Sequence, residues 1–348
     1  MEQLYSPEEM VHQLDCPAFI ARKGCITAVN AEAQKLLFEP GIHIDNCICS
    51  GYEEYKQLVS GCIMVSVELN RSVFECAVTI YEDHTLFKPK PTPEPAELQV
   101  LTLAAELLRI PFSDLNLILD RIKGIPAEQR ARLNHNLYKI YRLLSNMSDT
   151  AMVDSGKPRM TVCNIPEVLN ESVEKAIALL KDQPVDFSYC PSELQIFAKG
   201  NPDLIKRSVY NLISNAVKFA EEGSQVDISL KRIGNRLYFT VTNTGSIISP
   251  DIFPTVFDRY HRIAGLEDPR NGLGLGISLI YATAKAHHGT LMIETPDHNT
   301  TRVTMVLGIV KDDSTELHSP ILRHDLYGGR DQALIELSDI LSYLSYME

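Results

Sequence analysis

The chain has no excess of basic charge, no long apolar run and no common metal-site cysteine spacing. Its 33 Lys and Arg are outnumbered by 45 Asp and Glu, a formal net charge of −12. That balance argues against a general nucleic-acid binder and against a protein held on an anionic membrane, since both meet phosphates with cationic patches. No run of about 18 apolar residues occurs, so no membrane span is expected. The opening stretch MEQLYSPEEM lacks the basic and apolar regions of a signal peptide. A cytoplasmic location is therefore expected, with thiols rather than a disulfide framework for the eight cysteines. Six of them, Cys16, Cys25, Cys47, Cys49, Cys62 and Cys76, lie in the first quarter of the chain. Only Cys47 and Cys49 are close-spaced, and they lack the two-residue spacer common in zinc sites.

What is present is ordinary globular composition, 45% hydrophobic and 22% charged, in 348 residues, enough for two or three domains. The pattern predicts an α+β multidomain chain. Residues 1–87 read as a small α/β domain: a helix at Pro7–Leu14, strands at Ala18–Ala21 and Cys25–Val29, and a helix capped by Asn30. Strands follow at Cys62–Leu69 and Val73–Tyr81. Residues 88–95, KPKPTPEP, carry four prolines and read as a stiff linker.

Residues 96–156 carry heptads. Leu98, Ala105, Phe112 and Leu119 repeat at seven, as do Leu101, Leu108, Leu115 and Ile122. A turn at Gly124–Pro126 leads to a second seamed helix with Leu133, Ile140 and Met147 on one line and Leu137, Leu144 and Ala151 on the other. Two such helices form a hairpin whose apolar seam suits a four-helix bundle with a second copy, so a homodimer is expected. Residues 157–310 alternate strands and helices as an α/β sandwich, a mixed sheet with helices on one face. Residues 311–348 form a tail in which Gln332–Tyr346 reads as an amphipathic helix with Leu334, Leu337, Leu341 and Leu344 on one face. That helix is expected either to dock on its own chain or to face a partner.

One helix in the sandwich is chemically distinctive. In NPDLIKRSVYNLISNAVKFA, residues 201–220, Asn211, Asn215 and Lys218 share one face. Ile205, Val209, Leu212, Ile213, Ala216 and Phe219 take the other side. Two amides and an ammonium in a row suit a magnesium–polyphosphate ligand: amide oxygens coordinate the hard cation, and lysine neutralises phosphate. A solvated helix face is the plain alternative. The run GLGLGIS at 272–278 weighs against it.

The flanking motifs carry a resemblance. NLISNAVKF (211–219), VTNTGSII (241–248), FDRYHR (257–262) and GLGLGIS (272–278) stand in the order of the asparagine, first glycine, phenylalanine and second glycine boxes. They resemble the ATP-binding domain of sensor histidine kinases, members of the GHKL, or Bergerat-fold, ATPases. The preceding hairpin resembles that family's dimerisation bundle. The N-terminal strand pair running into the Asn30 helix resembles a PAS sensor domain. The resemblance implies ATP and Mg²⁺ as cofactors. Asn215 would ligate magnesium, while Asn211 and Lys218 would contact phosphates. Gly272, Leu273, Gly274, Leu275 and Gly276 would line the phosphates, the glycines letting the backbone approach. Asn243 and Gly245 would sit at the adenine. Asp258–Asn271 would be the nucleotide lid, with Phe257 and Tyr260 at its base. A response regulator or a partner histidine kinase is the implied protein partner.

Two departures stand out. The family's Asp-x-Gly-x-Gly reads Asn243, Thr244, Gly245, Ser246, Ile247. Asn243 accepts a hydrogen bond without charge assistance, and Ile247 replaces a glycine, so adenine binding is expected to weaken rather than vanish. In the first hairpin helix, the phosphoacceptor box reads Ala105, Glu106, Leu107, Leu108, Arg109, Ile110, Pro111, Phe112, with Glu106 in place of the histidine. Ala105 is a seam position, which turns Glu106 outward. A carboxylate does not replace a neutral imidazole nucleophile. His135 on the second helix is expected on a solvated face. The leading expectation is a regulatory pseudokinase that binds ATP and does not autophosphorylate. An active kinase, ATPase or phosphatase with a non-standard acceptor, and a nucleotide-independent interaction module, stand as alternatives.

Overall fold

A computed structural model of the chain describes residues 6–90, 95–154, 158–248, 252–258, 276–310 and 330–347. Side-chain caps open its first two helices. Ser6 Oγ accepts from the Glu9 amide, and the Glu9 carboxylate accepts from the Ser6 amide, a capping box at α1 (Pro7–His12). After β1 (Phe19–Arg22) and β2 (Cys25–Val29), Asn30 Oδ1 accepts from Ala33 N at 2.9 Å and starts α2 (Ala31–Lys35). Then come β3 (Ile48–Ser50), α3 (Tyr52–Gln57), β4 (Gly61–Leu69), β5 (Ser72–Ile80) and β6 (Thr85–Pro89). Phe19 stacks between Phe38 and Phe87, with centroids 4.6 and 4.9 Å away, and fills the core of this part.

The linker is shorter than KPKPTPEP suggested. Lys88 and Pro89 complete β6, where Lys88 Nζ donates to Pro254 O at 3.0 Å. Pro95 is the first residue of α4 (Pro95–Arg121), a position whose amide has no helical partner in any case. With α5 (Ala127–Asp154), α4 forms the hairpin. Its two seam lines have different fates. Ala105 is buried, and Phe112 and Leu119 pack toward Leu137 and Tyr141, whereas Leu108, Leu115 and Ile122 are exposed by 42–48%. Among the described residues no helix is long and apolar enough to cross a membrane.

The remaining elements are β7 (Thr161–Asn164), α6 (Ile165–Leu179), β8 (Asp186–Tyr189), β9 (Phe197–Gly200), α7 (Pro202–Phe219), β10 (Gln225–Ile233) and β11 (Arg236–Thr244). They end with α8 (Gly276–Ala286), β12 (Leu291–Asp297), β13 (Thr300–Gly308) and α9 (Gln332–Glu336). β7 pairs with β9 in a separate two-stranded sheet. The other strands make one sheet in the order β2-β1-β6-β5-β4-β12-β13-β11-β10-β8, with β3 on β4. Among the described residues only β8 and β10 pair in parallel. The two-residue period of β11 explains the layering. Leu237, Phe239 and Val241 face a core shared with α6, α7 and α8, while Tyr238, with Met292 and Val306 of neighbouring strands, faces the N-terminal core.

The two halves of the sheet meet where β4 runs beside β12, Ile63 opposite Met292 and Cys62 opposite Ile293. Gly61 makes this possible: its φ is +124°, and a Cβ there would lie 2.3 Å from Ile293 O. The seam is reinforced by fully buried Glu54, which pairs with Arg236 at 3.0 Å and accepts from Tyr238 Oη at 3.0 Å.

The tail departs from its expected form. Instead of one helix over 332–346 it makes the single turn of α9 and a 3₁₀ turn at Tyr343–Tyr346. The carbonyls that a continuous helix would use internally are engaged elsewhere. Ser338 O accepts from His135, Ile340 O accepts from Gln183 Nε2 at 2.8 Å, and Ser342 Oγ takes the Leu344 amide. The tail docks on its own chain, burying Ala333, Ile335, Leu337, Leu341 and Tyr346.

His287, after α8, ties that helix to the start of α7. Its Nδ1 donates to Thr283 O at 2.7 Å and its Nε2 accepts from the Asn201 amide at 2.9 Å, which requires the neutral ring. Burial lowers its pKa below the ordinary 6.5. A base with a lowered folded pKa contributes stability that is complete above the unfolded value and declines as pH falls below it. Unfolding free energy should therefore drop as pH falls below about 6.5, and His287→Gln should flatten that drop. An unchanged slope in urea melts across that window contradicts this role.

Candidate functional site

The site is built on α7. Asn201 caps it, Oδ1 accepting from Leu204 N at 3.0 Å, and Pro202 occupies the first turn. Leu204, Ile205, Val209, Leu212, Ile213 and Ala216 are buried, which fixes the rotation of the helix. Asn211 is then 1% exposed, Asn215 is half-buried, and Lys218 closes the row in the last turn. Arg207 stands one turn before Asn211 and extends the stripe; it is 2% exposed.

Two glycine positions bring distant parts of the chain to this helix. Gly276, the first residue of α8, lies against the stripe: a Cβ there would sit 3.2 Å from Asn211 Oδ1 and 3.9 Å from Asn215 Nδ2. Gly245, with φ +148°, passes so close to the end of α7 that a Cβ would lie 2.4 Å from Phe219 O. Backbone bonds lock this crossing, Glu221 N to Thr244 O at 2.8 Å and Ser246 N to Phe219 O at 2.9 Å. Asn243 is buried on the helix-facing side of β11, its Nδ2 without a hydrogen-bond partner among the described residues. Tyr260, Gly272, Leu273, Gly274 and Leu275 lie outside the described residues, as do Asn271 and most of the expected lid. Phe257 is buried 6.4 Å from the Tyr281 ring, and Asp258 pairs with Lys90 and, at 3.8 Å, Lys88 of the N-terminal part. Glu106 belongs to α4, its side chain outside the described residues.

The sequence placed three polar groups along α7; the structure surrounds them with five more that it did not single out. Arg142 of α5 donates through Nη2 to Asn211 Oδ1 at 3.1 Å. Glu336 of α9, fully buried, accepts from Arg207 Nε at 2.6 Å and Asn211 Nδ2 at 3.1 Å, with Arg142 Nε 3.8 Å away. Arg207 Nη2 also donates to Asn146 Oδ1 at 2.8 Å. Asp339 pairs with Arg142 and, at 3.3 Å, with Lys218. Three cations thus converge on two carboxylates around one amide. Arg207 was legible as an extension of the stripe by one turn. Glu336 and Asp339 carried only an i, i+3 acidic spacing, which names no partner.

His135 does not sit on a solvated face. It is half-buried, its Nε2 donates to Ser338 O at 2.7 Å, and its ring stacks on Tyr346 at 5.0 Å. The reason is the tail, which covers this side of α5; burial lowers the His135 pKa. The cysteines are free thiols, and no metal-holding group of His, Cys, Asp and Glu occurs among the described residues.

Comparison with known proteins bears on the part of the chain that carries α7. Residues 200–310 match the family model described as histidine kinase-, DNA gyrase B-, and HSP90-like ATPase. Sensor protein KdpD of Clostridium acetobutylicum is 26% identical over 232 residues, covering 62% of this chain and 26% of that protein. Sensor histidine kinase CusS of Escherichia coli O6:H1 is 26% identical over 174 residues, covering 49% of this chain and 36% of that protein. Heme sensor protein HssS of Staphylococcus aureus is 34% identical over 108 residues, covering 31% of this chain and 23% of that protein. The chain thus spans between about a quarter and a third of these relatives' lengths. Among solved structures, full-length ShkA in complex with AMPPNP superposes with a TM-score of 0.51 at 18% identity, over 63% of this chain and 47% of that one, a likeness of fold.

Burial makes the network unequal in its parts. Glu336→Ala removes a fully buried carboxylate from Arg207 and Asn211 and should cost about 3–5 kcal/mol of stability. Lys175→Ala, which breaks a half-exposed pair with Asp331, should cost no more than about 1 kcal/mol. Urea unfolding of the two variants checks this; equal losses contradict the assignment.

Proposed function

We infer, for a chain whose residues 200–310 are a histidine-kinase-type ATPase domain and which is related to sensor histidine kinases, a signalling role built on nucleotide binding without self-phosphorylation. The observation that carries nucleotide binding is Gly276 lying bare against Asn211 and Asn215, so that two motifs sixty residues apart in sequence share one cradle. The donor set fits ATP with Mg²⁺. Asn215 would offer its amide oxygen to the cation, Asn211 and Lys218 would meet phosphates, and the unpartnered amide of buried Asn243 would meet the base. Bound magnesium would screen the phosphate charge. The residues of this chain orient the nucleotide and exclude water, with Ile205, Val209 and Phe257 packing behind the cradle.

What argues against a kinase acting on itself is Glu106 at the acceptor position of α4. The carboxylate is a weak nucleophile toward phosphorus beside the neutral imidazole it replaces. The chain then acts as a regulatory pseudokinase in a phosphorelay, its hairpin meeting a response regulator or a partner histidine kinase in the cytoplasm. The exposed line of Leu108, Leu115 and Ile122, with Leu133 of α5 also exposed, supports pairing of two hairpins as a homodimer. The N-terminal part, with β4 in register beside β12, serves as a PAS-like sensor joined directly to the ATPase sheet.

Two measurements test this reading. Incubation with labelled ATP and magnesium should leave no acid-labile phosphate on the chain; phosphohistidine would overturn the pseudokinase assignment. Calorimetric titration with Mg-ATP should show saturable binding, weakened at least about tenfold by Asn215→Ala through loss of a cation ligand. Binding unaffected by that substitution would displace the nucleotide from the α7 stripe.

A further inference from the structure

We propose that the C-terminal segment Asp331–Met347 is a built-in competitor of the nucleotide, its Glu336 and Asp339 carboxylates taking the places of phosphate groups on the α7 stripe. The inference rests on the nucleotide-site reading above and names the regulation of that site.

Three observations carry it. First, the atoms needed for phosphate are already used. Asn211 Oδ1 accepts from Arg142, Asn211 Nδ2 donates to Glu336 and to Arg207 O, and Lys218 is paired with Asp339. Second, the charges match a polyphosphate. Arg142, Arg207 and Lys218 converge on this one spot, and the tail supplies two anionic groups in the same volume. Arginine and lysine recognise carboxylate and phosphate by the same charge-assisted bonds. With the tail lifted, the three cations would face the cradle beside Gly276. Third, the tail is held by contacts remote from the stripe. Tyr346 Oη donates to Leu334 O at 2.8 Å, and its ring lies 5.0 Å from His135 and 4.8 Å from Tyr138. Gln183 holds Ile340 O and Lys175 holds Asp331. The plug therefore has a latch that can be loosened without touching the nucleotide contacts.

The latch sits on α5. The tail that covers the stripe also meets the hairpin, through His135, Tyr138 and Arg142, while Arg142 and Asn146 bond α7 directly. Nucleotide entry would remove the tail's contacts with both α7 and the hairpin, which couples occupancy of the site to the hold on the bundle. A binding-competent state populated only in part raises the apparent dissociation constant by the inverse of its fraction.

Calorimetry on full-length protein tests the competitor, with Mg-ATP as probe against the unaltered chain, Tyr346→Ala and Asp339→Asn, each first confirmed folded by thermal melting. Tyr346→Ala opens the latch from a distance and should tighten Mg-ATP binding about tenfold. Asp339→Asn removes the carboxylate from Lys218 and should tighten it in the same direction. Tyr346→Ala binding no tighter than the unaltered chain overturns the competitor, even where Asp339→Asn binds tighter through local charge alone. Absence of Mg-ATP binding in all three proteins overturns the nucleotide site itself and the competitor with it.

Discussion

The buried carboxylate of Glu336 is the contact on which the site region depends. It lies between Arg207 and Asn211 of α7 with Arg142 of α5 beside it, so one side chain joins the tail, the hairpin and the ATPase helix. In water such a pair is worth little; inside the protein neither charge is tolerable alone. The attraction and the cost of desolvation are both large, and the balance makes the arrangement all-or-none. With the tail in place its two carboxylates neutralise these cations, and a polyphosphate is proposed to take the same places. That is the physical basis for reading the region as two-state rather than as a fixed brace.

The same economy appears at the other end of the sheet. β4 extends the sheet past β12, with Glu54 anchoring α3 to β11 and Lys88 and Lys90 reaching Asp258 at the start of the expected lid. Tyr281 and Lys285 of α8 both meet Glu75 of β5. The N-terminal part thus touches the elements on both sides of the glycine run through charged contacts, while the tail touches α7.

Much of this was legible in the sequence, for reasons that differ by element. Asn30 announced its helix because capping is local chemistry. The burial of α7 followed from its apolar arc, and the alternation of β11 from the period of a strand. The tail was misread as one helix because leucine spacing reports a preference for an apolar face and not where the carbonyls go. Those of Ser338 and Ile340 are engaged by His135 and Gln183, about two hundred and one hundred and sixty residues away, and no local pattern records that. His135 was misplaced for the same reason. Lys88 and Pro89 read as linker because proline content speaks against central strands, whereas here they finish one. The stripe itself was visible, but its neutralisation by Glu336 and Asp339 was not, since it is a contact between segments more than one hundred residues apart.

The central claim is that tail carboxylates and nucleotide phosphates compete for one set of cations. Hydrogen exchange of the full-length chain tests it most directly, read at the amides of Ala333, Ile335 and Leu337, which are bonded to Asp331 Oδ1, Asp331 O and Ala333 O. Saturating Mg-ATP should accelerate exchange at these amides while slowing it along 211–219. Exchange at Ala333, Ile335 and Leu337 that is unchanged or slower with nucleotide bound would contradict the account.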